Sequence, residues 1–233
     1  MLEQDINQQR IKKLEEYIWN SLFAMSRAYD DVETQGCSFR LLILSISYML
    51  SIIGTKHKIE HLVDRFCNTI NFFAINNCMC DDGFKQQCPS TSELYDFMKK
   101  YYNYCMSRES GKILSYKEMD KIYDVDKMTK NWWGPNLWNV LHYFGAYYCP
   151  DDKYEYFVAY KCMVMCLVHT LPCKICRVHF LKHTTKTEHN IDKYSKSNFD
   201  LLFWSFTIHN AANSFLNKRI YLWDEAIDQY IPK

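Results

Sequence analysis

Apolar side chains return along this chain at steps of three and four residues, the period of an amphipathic helix. Ile11, Leu14, Ile18, Leu22 and Met25 fall on one helical face. Gly36 and Cys37 interrupt that pattern, an apolar run follows from Phe39 to Ile53, and Gly54 closes it. Ile59, Leu62, Val63, Phe66, Ile70 and Phe73 mark a further amphipathic helix. The period then breaks over 76–90, where Cys78, Cys80, Gly83, Cys88 and Pro89 predict a loop. Leu94, Phe97, Tyr101 and Tyr104 predict the next helix. Ser115, with Glu118 three residues on, forms a capping box for a short helix ending near Asp124.

A polar stretch, Lys127, Thr129, Lys130 and Asn131, places a domain boundary near residue 128. Beyond it Gly134-Pro135 start a helix carrying Trp138, Leu141 and Gly145, and Pro150 stops it. Asp151 or Asp152 is placed to cap a helix that runs through Tyr156, Tyr160 and Val164 towards His169. Pro172 opens another at Cys173, Asn198 caps a long one through Leu201, Trp204, Ile208, Ala212 and Phe215, and a last short helix spans Asp224 to Tyr230. No stretch alternates with the two-residue period of a strand. The fold class is all-α, with an N-terminal helical module over 1–128 and a second helical domain over 129–233.

Composition agrees: six Gly and five Pro are few breakers for 233 residues, while eighteen Tyr, fourteen Phe and six Trp offer large flat apolar surfaces. Charge removes one class of function. Twenty-eight basic and twenty-seven acidic residues leave +1, far from the basic excess of a phosphate-neutralising protein, so nucleic acid is not an expected partner. Met1 to Arg10 is polar and holds no apolar signal core. The run Leu41 to Ile53 is broken by Ser45, Ser47, Tyr48 and Ser51 and, at thirteen residues, is too short to span a bilayer. A buried helix, a soluble chain and no membrane partner are expected.

Eleven cysteines at irregular spacing suggest a mixture of buried thiols and one or two bridges. The strongest local signal is Leu171-Pro172-Cys173-Lys174-Ile175-Cys176. Two cysteines three apart at a helix start can close a small reducible disulfide, and a helix N-terminus, Lys174 and Arg177 all favour a thiolate. A CxxC also serves zinc, with Cys162, Cys166 and His179 as further ligands, although Cys162 and Cys166 sit among apolar helix residues. A thioredoxin-like fold would need strands, and haem attachment would need His where Arg177 stands.

Two more constellations accompany it. Trp138 and His142 share a helical face after Gly134-Pro135, with Tyr147 close by; ordinary aromatic core packing is the alternative. His209 and Asn213 share a face in an otherwise apolar helix, with Asn210 beside them and Lys218 further on. Buried Asn and His side chains are costly unless hydrogen-bonded, either to one another or to the polar ring edge of a cofactor.

Taken together, Gly134 to His142, the CxxC and His209-Asn210-Ala211-Ala212-Asn213 with Lys218 resemble the Erv/ALR family of FAD-linked sulfhydryl oxidases, in family order between Trp132 and about Tyr230. Trp-Gly-Pro, Leu-Pro-Cys and Asn-Lys-Arg-Ile look most like the compact forms of large DNA viruses. The resemblance implies a four-helix bundle with a short fifth helix, usually a homodimer, gripping FAD. It implies that Gly134, Trp138, His142 and Tyr147 line the flavin and adenine side. His209, Asn210, Asn213 and Lys218 then hold adenine, ribose and phosphates, and Lys130 assists. It implies that Cys173 meets thiols of substrate proteins, that Cys176 faces the isoalloxazine, and that oxygen takes the electrons to give hydrogen peroxide. Host cytoplasm or virion is the expected location.

This chain departs from the family at Ala212, where a larger aliphatic is usual, and at Phe206, where many members carry a bridging Cys. Trp223 is displaced from a family Trp. Cys78-Met79-Cys80 is the candidate for a second, shuttling disulfide, and a structural bridge to Cys88 is the alternative. Cys37, Cys67, Cys105 and Cys149 carry no signal beyond burial or pairing. Two rival functions stand beside the oxidase: a zinc-bound helical interaction module and an inert scaffold.

Overall fold

The computed structural model describes residues 2–28, 33–66, 69, 72, 91–107, 113–124, 126–151 and 154–231. Those residues form helices and connecting turns with no strand among them. Ten helices are labelled here in chain order. The first, α1 (Leu2–Arg27), buries Ile11, Leu14, Ile18 and Leu22, the face that the periodicity predicts.

Helix α2 (Glu33–Lys56) corrects two expectations. It runs through Gly36, Cys37 and Gly54 rather than breaking at them. A Cβ at Gly54 would stand 2.9 Å from Leu62 Cβ and 3.1 Å from the Ile59 carbonyl, so this glycine permits close contact with α3 (Glu60–Phe66) instead of ending a helix. The helix is also longer than the thirteen-residue run. Its segment Cys37–Lys56 is 20 residues long, and by length and composition it is apolar enough to cross a membrane, with 56% of its most apolar 18 residues buried inside the protein. The serines do not break it because their hydroxyls bond the helix's own carbonyls: Ser47 donates to Ile43 O at 2.7 Å and Ser51 to Tyr48 O at 2.7 Å.

Ile70, Phe73 and the expected loop over 76–90, with Cys78, Cys80 and Cys88, lie outside the described residues. Helix α4 (Thr91–Ser107) follows, then α5 (Tyr116–Ile122). The Ser115 capping box closes both ways, with Glu118 N donating to Ser115 Oγ at 3.3 Å and Ser115 N donating to Glu118 Oε2 at 2.8 Å.

Helix α6 (Lys130–Tyr147) has its N-cap at Thr129, six residues before Pro135, and so starts ahead of the Gly134-Pro135 pair expected to open it. Pro135 therefore lies inside the helix, where it withholds one N–H. Side-chain amides crowd the same turn, Asn136 Nδ2 donating to Trp132 O and Asn139 Nδ2 to Pro135 O. Then come α7 (Tyr154–Thr170), α8 (Lys174–Thr184), two short 3-10 turns (Thr187–His189 and Ile191–Tyr194), α9 (Asn198–Phe215) and α10 (Trp223–Tyr230). Ser197, not Asn198, caps α9: its Oγ accepts from Asp200 N, while Asn198 Nδ2 reaches the carbonyl of Ala146 on α6.

The most extensive helix pairs are α2 with α7, α9 with α6, and α1 with α6. One continuous apolar core therefore crosses residue 128, from Leu22 and Ile46 to Leu141, Tyr160 and Leu201. Polar ties follow the same route. Asn20 Nδ2 on α1 donates to Asn136 Oδ1 on α6, and Arg10 Nη2 donates to the carbonyls of Gln229 and Ile231 at the end of α10. The N-terminal helices thus hold α6 and α10 in place from the outside. On the inside, α6 and α9 approach at Gly145, where a Cβ would stand 3.0 Å from Leu202 N.

Candidate active site

Leu171-Pro172 ends the run of α7 and turns the chain so that Cys173 becomes the N-cap of α8. Arg177 fastens this turn by donating to Leu171 O at 2.9 Å, a more local duty than charging the helix start. Cys173 and Cys176 are joined as a disulfide with a Cα–Cα distance of 5.0 Å. The backbone N–H of Cys176 donates to Cys173 Sγ at 3.2 Å.

Both cysteines border a cleft of about 580 Å³ enclosed by α6, α8, α9 and α10. Its volume suits a cofactor-sized ligand. Trp138 on α6 and His209 on α9 form one wall, their rings stacked at 4.4 Å and 9°. Phe180, one helical turn beyond Cys176, faces the same indole at 6.3 Å. Behind the wall His142 is buried, with Nδ1 at 2.8 Å from Ser205 Oγ and Nε2 at 2.9 Å from His209 Nδ1. Burial, reinforced by the neighbouring His209, holds the His142 pKa well below the usual imidazole value. His209 is pushed down to about 4, by burial first and by the charge of Lys218 second. Both rings are therefore neutral at neutral pH.

The remaining lining combines an unpartnered donor with a basic rim. Asn213 is buried, borders the cleft, and its Nδ2 has no hydrogen-bond partner. Lys130, Lys218 and Arg219 border the same cleft. A Cβ at Gly134 would meet nothing within 4 Å, so the cleft is open at that point. A stacked aromatic wall, an orphan amide and three cations suit a flat heteroaromatic ligand that bears phosphates, and FAD has that chemistry.

Nine of the residues that sequence assigned to the site border this one cleft: Lys130, Gly134, Trp138, His142, Cys173, Cys176, His209, Asn213 and Lys218. Two do not. Tyr147 is five residues from His142, about 140° round the helix, and packs instead against Tyr143 at 6.4 Å and His57 at 5.5 Å. Asn210 is spent on the backbone of Tyr221, donating to its carbonyl and accepting from its N–H at 3.0 Å each. It staples the segment after α9 rather than facing the cleft. Trp223 is absent from the lining and rests on Phe203 and Phe206 at 5.0 and 5.4 Å. Cys78 and Cys80 lie outside the described residues.

Other lining residues went unassigned. His179, Phe180 and His183 follow Cys176 at three, four and seven positions, so the helical period could have found them. Tyr230 could not be found that way. It reaches the cleft from α10, donating to Asn139 Oδ1 at 2.7 Å with its ring 4.9 Å from His142. Ser205 is visible only through its bond to His142. Among the described residues no three His, Cys, Asp or Glu side chains converge as a metal ion requires, so the zinc reading finds no ligand set there.

The sequence model of the Erv1/Alr family matches residues 135–231, the helices that enclose this cleft. The chain is 30% identical over 95 residues to an FAD-linked sulfhydryl oxidase of African swine fever virus (a pig isolate from Kenya), covering 40% of this chain and 75% of that relative. A tick isolate's oxidase of the same description is 30% identical over 97 residues, again covering 40% and 75%. This chain is 28% identical over 108 residues to a probable FAD-linked sulfhydryl oxidase of Acanthamoeba polyphaga mimivirus, covering 43% of this chain and 70% of that one. No solved structure matches the chain. With its disulfide, stacked wall and orphan amide gathered in the matched segment, the chain belongs to the Erv1/Alr family.

Proposed function

We propose that the chain is a flavin-linked thiol oxidase that binds FAD in the cleft, draws electron pairs from protein dithiols through Cys173–Cys176, and passes them to molecular oxygen to give hydrogen peroxide. One observation carries this reading: the disulfide borders the same cleft as the Trp138–His209 stack and the unpartnered Asn213 amide.

A substrate thiolate attacks Cys173 Sγ; the bond to Cys176 breaks, and Cys176 leaves as a thiolate inside the cleft. A second substrate thiol attacks the mixed disulfide, and Cys173 leaves in turn. The Cys176 N–H aimed at Cys173 Sγ favours that departure because it meets a developing negative charge. The substrate is then a disulfide, and the pair holds two electrons. FAD, when bound, supplies the acceptor for those electrons and the route to oxygen. Trp138 and Phe180 offer flat faces to a ring, Asn213 Nδ2 offers a donor, and Lys130, Lys218 and Arg219 offer charge to phosphates.

In this reading residues 129–233 are the oxidase domain, and residues 1–128 are a helical module that buttresses it. Cys78 and Cys80 act as a shuttle that delivers electrons to Cys173, and two copies associate as a homodimer. The test is direct. The purified chain should carry the visible absorption of flavin and consume oxygen with dithiothreitol, one peroxide per oxygen; a colourless protein, or a coloured one without turnover, overturns the reading. A Cys78→Ser/Cys80→Ser chain should slow on protein dithiols but not on dithiothreitol, and sedimentation distinguishes one copy from two.

A further inference from the structure

Ser205 is fully buried on α9, one helical turn before His209. Its Oγ lies 2.8 Å from the Leu202 carbonyl and 2.8 Å from His142 Nδ1. A carbonyl can only accept, and the Tyr160 hydroxyl, which also contacts Ser205, gives its own proton to Leu141 O, so the single hydroxyl proton of Ser205 is drawn to Leu202 and Tyr160 and away from His142. Towards His142 the oxygen can then only accept, and Nδ1 of that ring must carry the proton. A neutral His142 leaves a lone pair on Nε2, which stands 2.9 Å from His209 Nδ1. His209 must donate across that contact. Being neutral as well, it keeps its own lone pair on Nε2.

That last atom has no hydrogen bond among the described residues, and it is not among the enclosed polar atoms left without a partner. Since His209 borders the cleft, with Trp138 stacked on its face, its free nitrogen meets the cleft. Three hydrogen bonds thus carry one polarity from the Leu202 carbonyl to the surface of the site. We propose that Ser205 is a positioning residue that locks His142 and His209 as Nδ1–H tautomers, so that His209 Nε2 accepts a hydrogen bond from a ring-borne N–H of the bound cofactor. This rests on the reading that FAD occupies the cleft. FAD offers such a donor in two places, the adenine amino group and N3–H of the isoalloxazine, and both share one chemistry.

Histidine nitrogen NMR of the cofactor-free full chain reads the tautomers directly, without any variant. Both rings should show protonated Nδ1; a protonated Nε2 on His209 overturns the proposal. Binding of ADP against the 5′-diphosphate of purine riboside tests the adenine source, because that analogue replaces the amino donor by hydrogen and adds no other. Binding of FAD against N3-methyl FAD tests the isoalloxazine source. One of the two pairs should discriminate by about tenfold or more, as a site built around a hydrogen bond rejects a ligand that lacks it. Equal binding within both pairs overturns the proposal. Ser205→Ala should let His142 take either tautomer and bring the discriminating pair towards equality, whereas Ser205→Thr, which keeps the hydroxyl, should retain it. Full discrimination in a folded Ser205→Ala chain removes Ser205 from the role. Failure of the cofactor reading looks different: neither FAD nor ADP binds although both tautomers stand as assigned, and the acceptor role falls with it.

Discussion

Cys173 caps the helix that carries its own partner, since the Cys176 N–H donates to Cys173 Sγ at 3.2 Å. The pair is therefore asymmetric before any substrate arrives. A negative charge on Cys173 faces a backbone donor at a helix N-terminus, and this charge-assisted bond is stronger than one between neutral groups.

Serine variants separate the two roles. Cys173→Ser keeps a good capping atom, because serine is a preferred N-cap, so the melting temperature should hold. Cys176→Ser leaves the same backbone N–H in place and should also fold. Each should lower dithiol oxidation by at least about a hundredfold, as loss of a single member of a catalytic unit does, while the flavin stays bound. Oxygen uptake and the ratio of visible to ultraviolet absorbance measure the two effects. Turnover surviving in Cys176→Ser would remove the pair from the mechanism.

Asn210 and Asn213 are three residues apart on α9 and should respond in opposite ways. Asn213 Nδ2 is buried without a partner, so Asn213→Ala relieves an unsatisfied group. The cofactor-free chain should melt at the same temperature or higher, while FAD affinity falls about tenfold. Asn210→Ala removes both bonds to Tyr221 and should destabilise by about 1–2 kcal/mol. Its effect on FAD is indirect, through the segment that carries Lys218 and Arg219. Thermal melts with and without FAD distinguish the two patterns; equal loss of stability in both variants would contradict the assignment.

Gly145→Ala tests the α6–α9 contact that sets the width of the cleft. The added Cβ would meet Leu202 N at 3.0 Å and Leu201 C and Leu202 Cα at 3.1 Å, all of them backbone atoms that no rotamer change can move. The helices must shift apart, at about 1–3 kcal/mol for an overpacked site. Trp138 and His142 ride on α6 and His209 on α9, so FAD affinity should fall together with melting temperature. A variant as stable as the parent, with unchanged affinity, would show that the two helices are not held at this distance.

The helical periods of Ile11 to Leu22 and of Leu201 to Ile208, and the apolar run from Phe39, were legible because each marks a continuous buried face. Helix ends were less so. Gly54 reads as a breaker, yet its lack of a side chain serves a contact with Leu62 on the next helix, which helical periodicity does not reveal. Pro135 reads as a start, yet Thr129 already supplies one. At the site, residues on shared faces were legible: Trp138 with His142, and His209 with Asn213. Tyr147 and Asn210 lie off the cleft for a common reason. Proximity in sequence does not give direction, and direction is settled by more distant partners, His57 for one and the Tyr221 backbone for the other. Tyr230 comes from a helix packed against α6 only in three dimensions.

The buried histidine pair predicts how stability depends on pH. His209 is held down to about 4 and His142 well below its ordinary value, both chiefly by burial. In the unfolded chain each accepts a proton near pH ~6.5. Between those limits the unfolded chain binds more protons than the folded one, so stability must rise with pH. The contribution is complete above pH ~6.5 and drains away as the pH falls towards ~4, on the order of 3 kcal/mol for His209 alone. The two rings share a hydrogen bond and titrate as a pair, so the measured slope belongs to both. The melting temperature of the cofactor-free chain should therefore fall steadily between about pH 7 and about pH 5, and His209→Gln should flatten that fall by roughly one proton's worth. An unchanged slope in His209→Gln would mean that the ring is already charged in the folded state. It could not then accept the hydrogen bond that the cleft is built to offer.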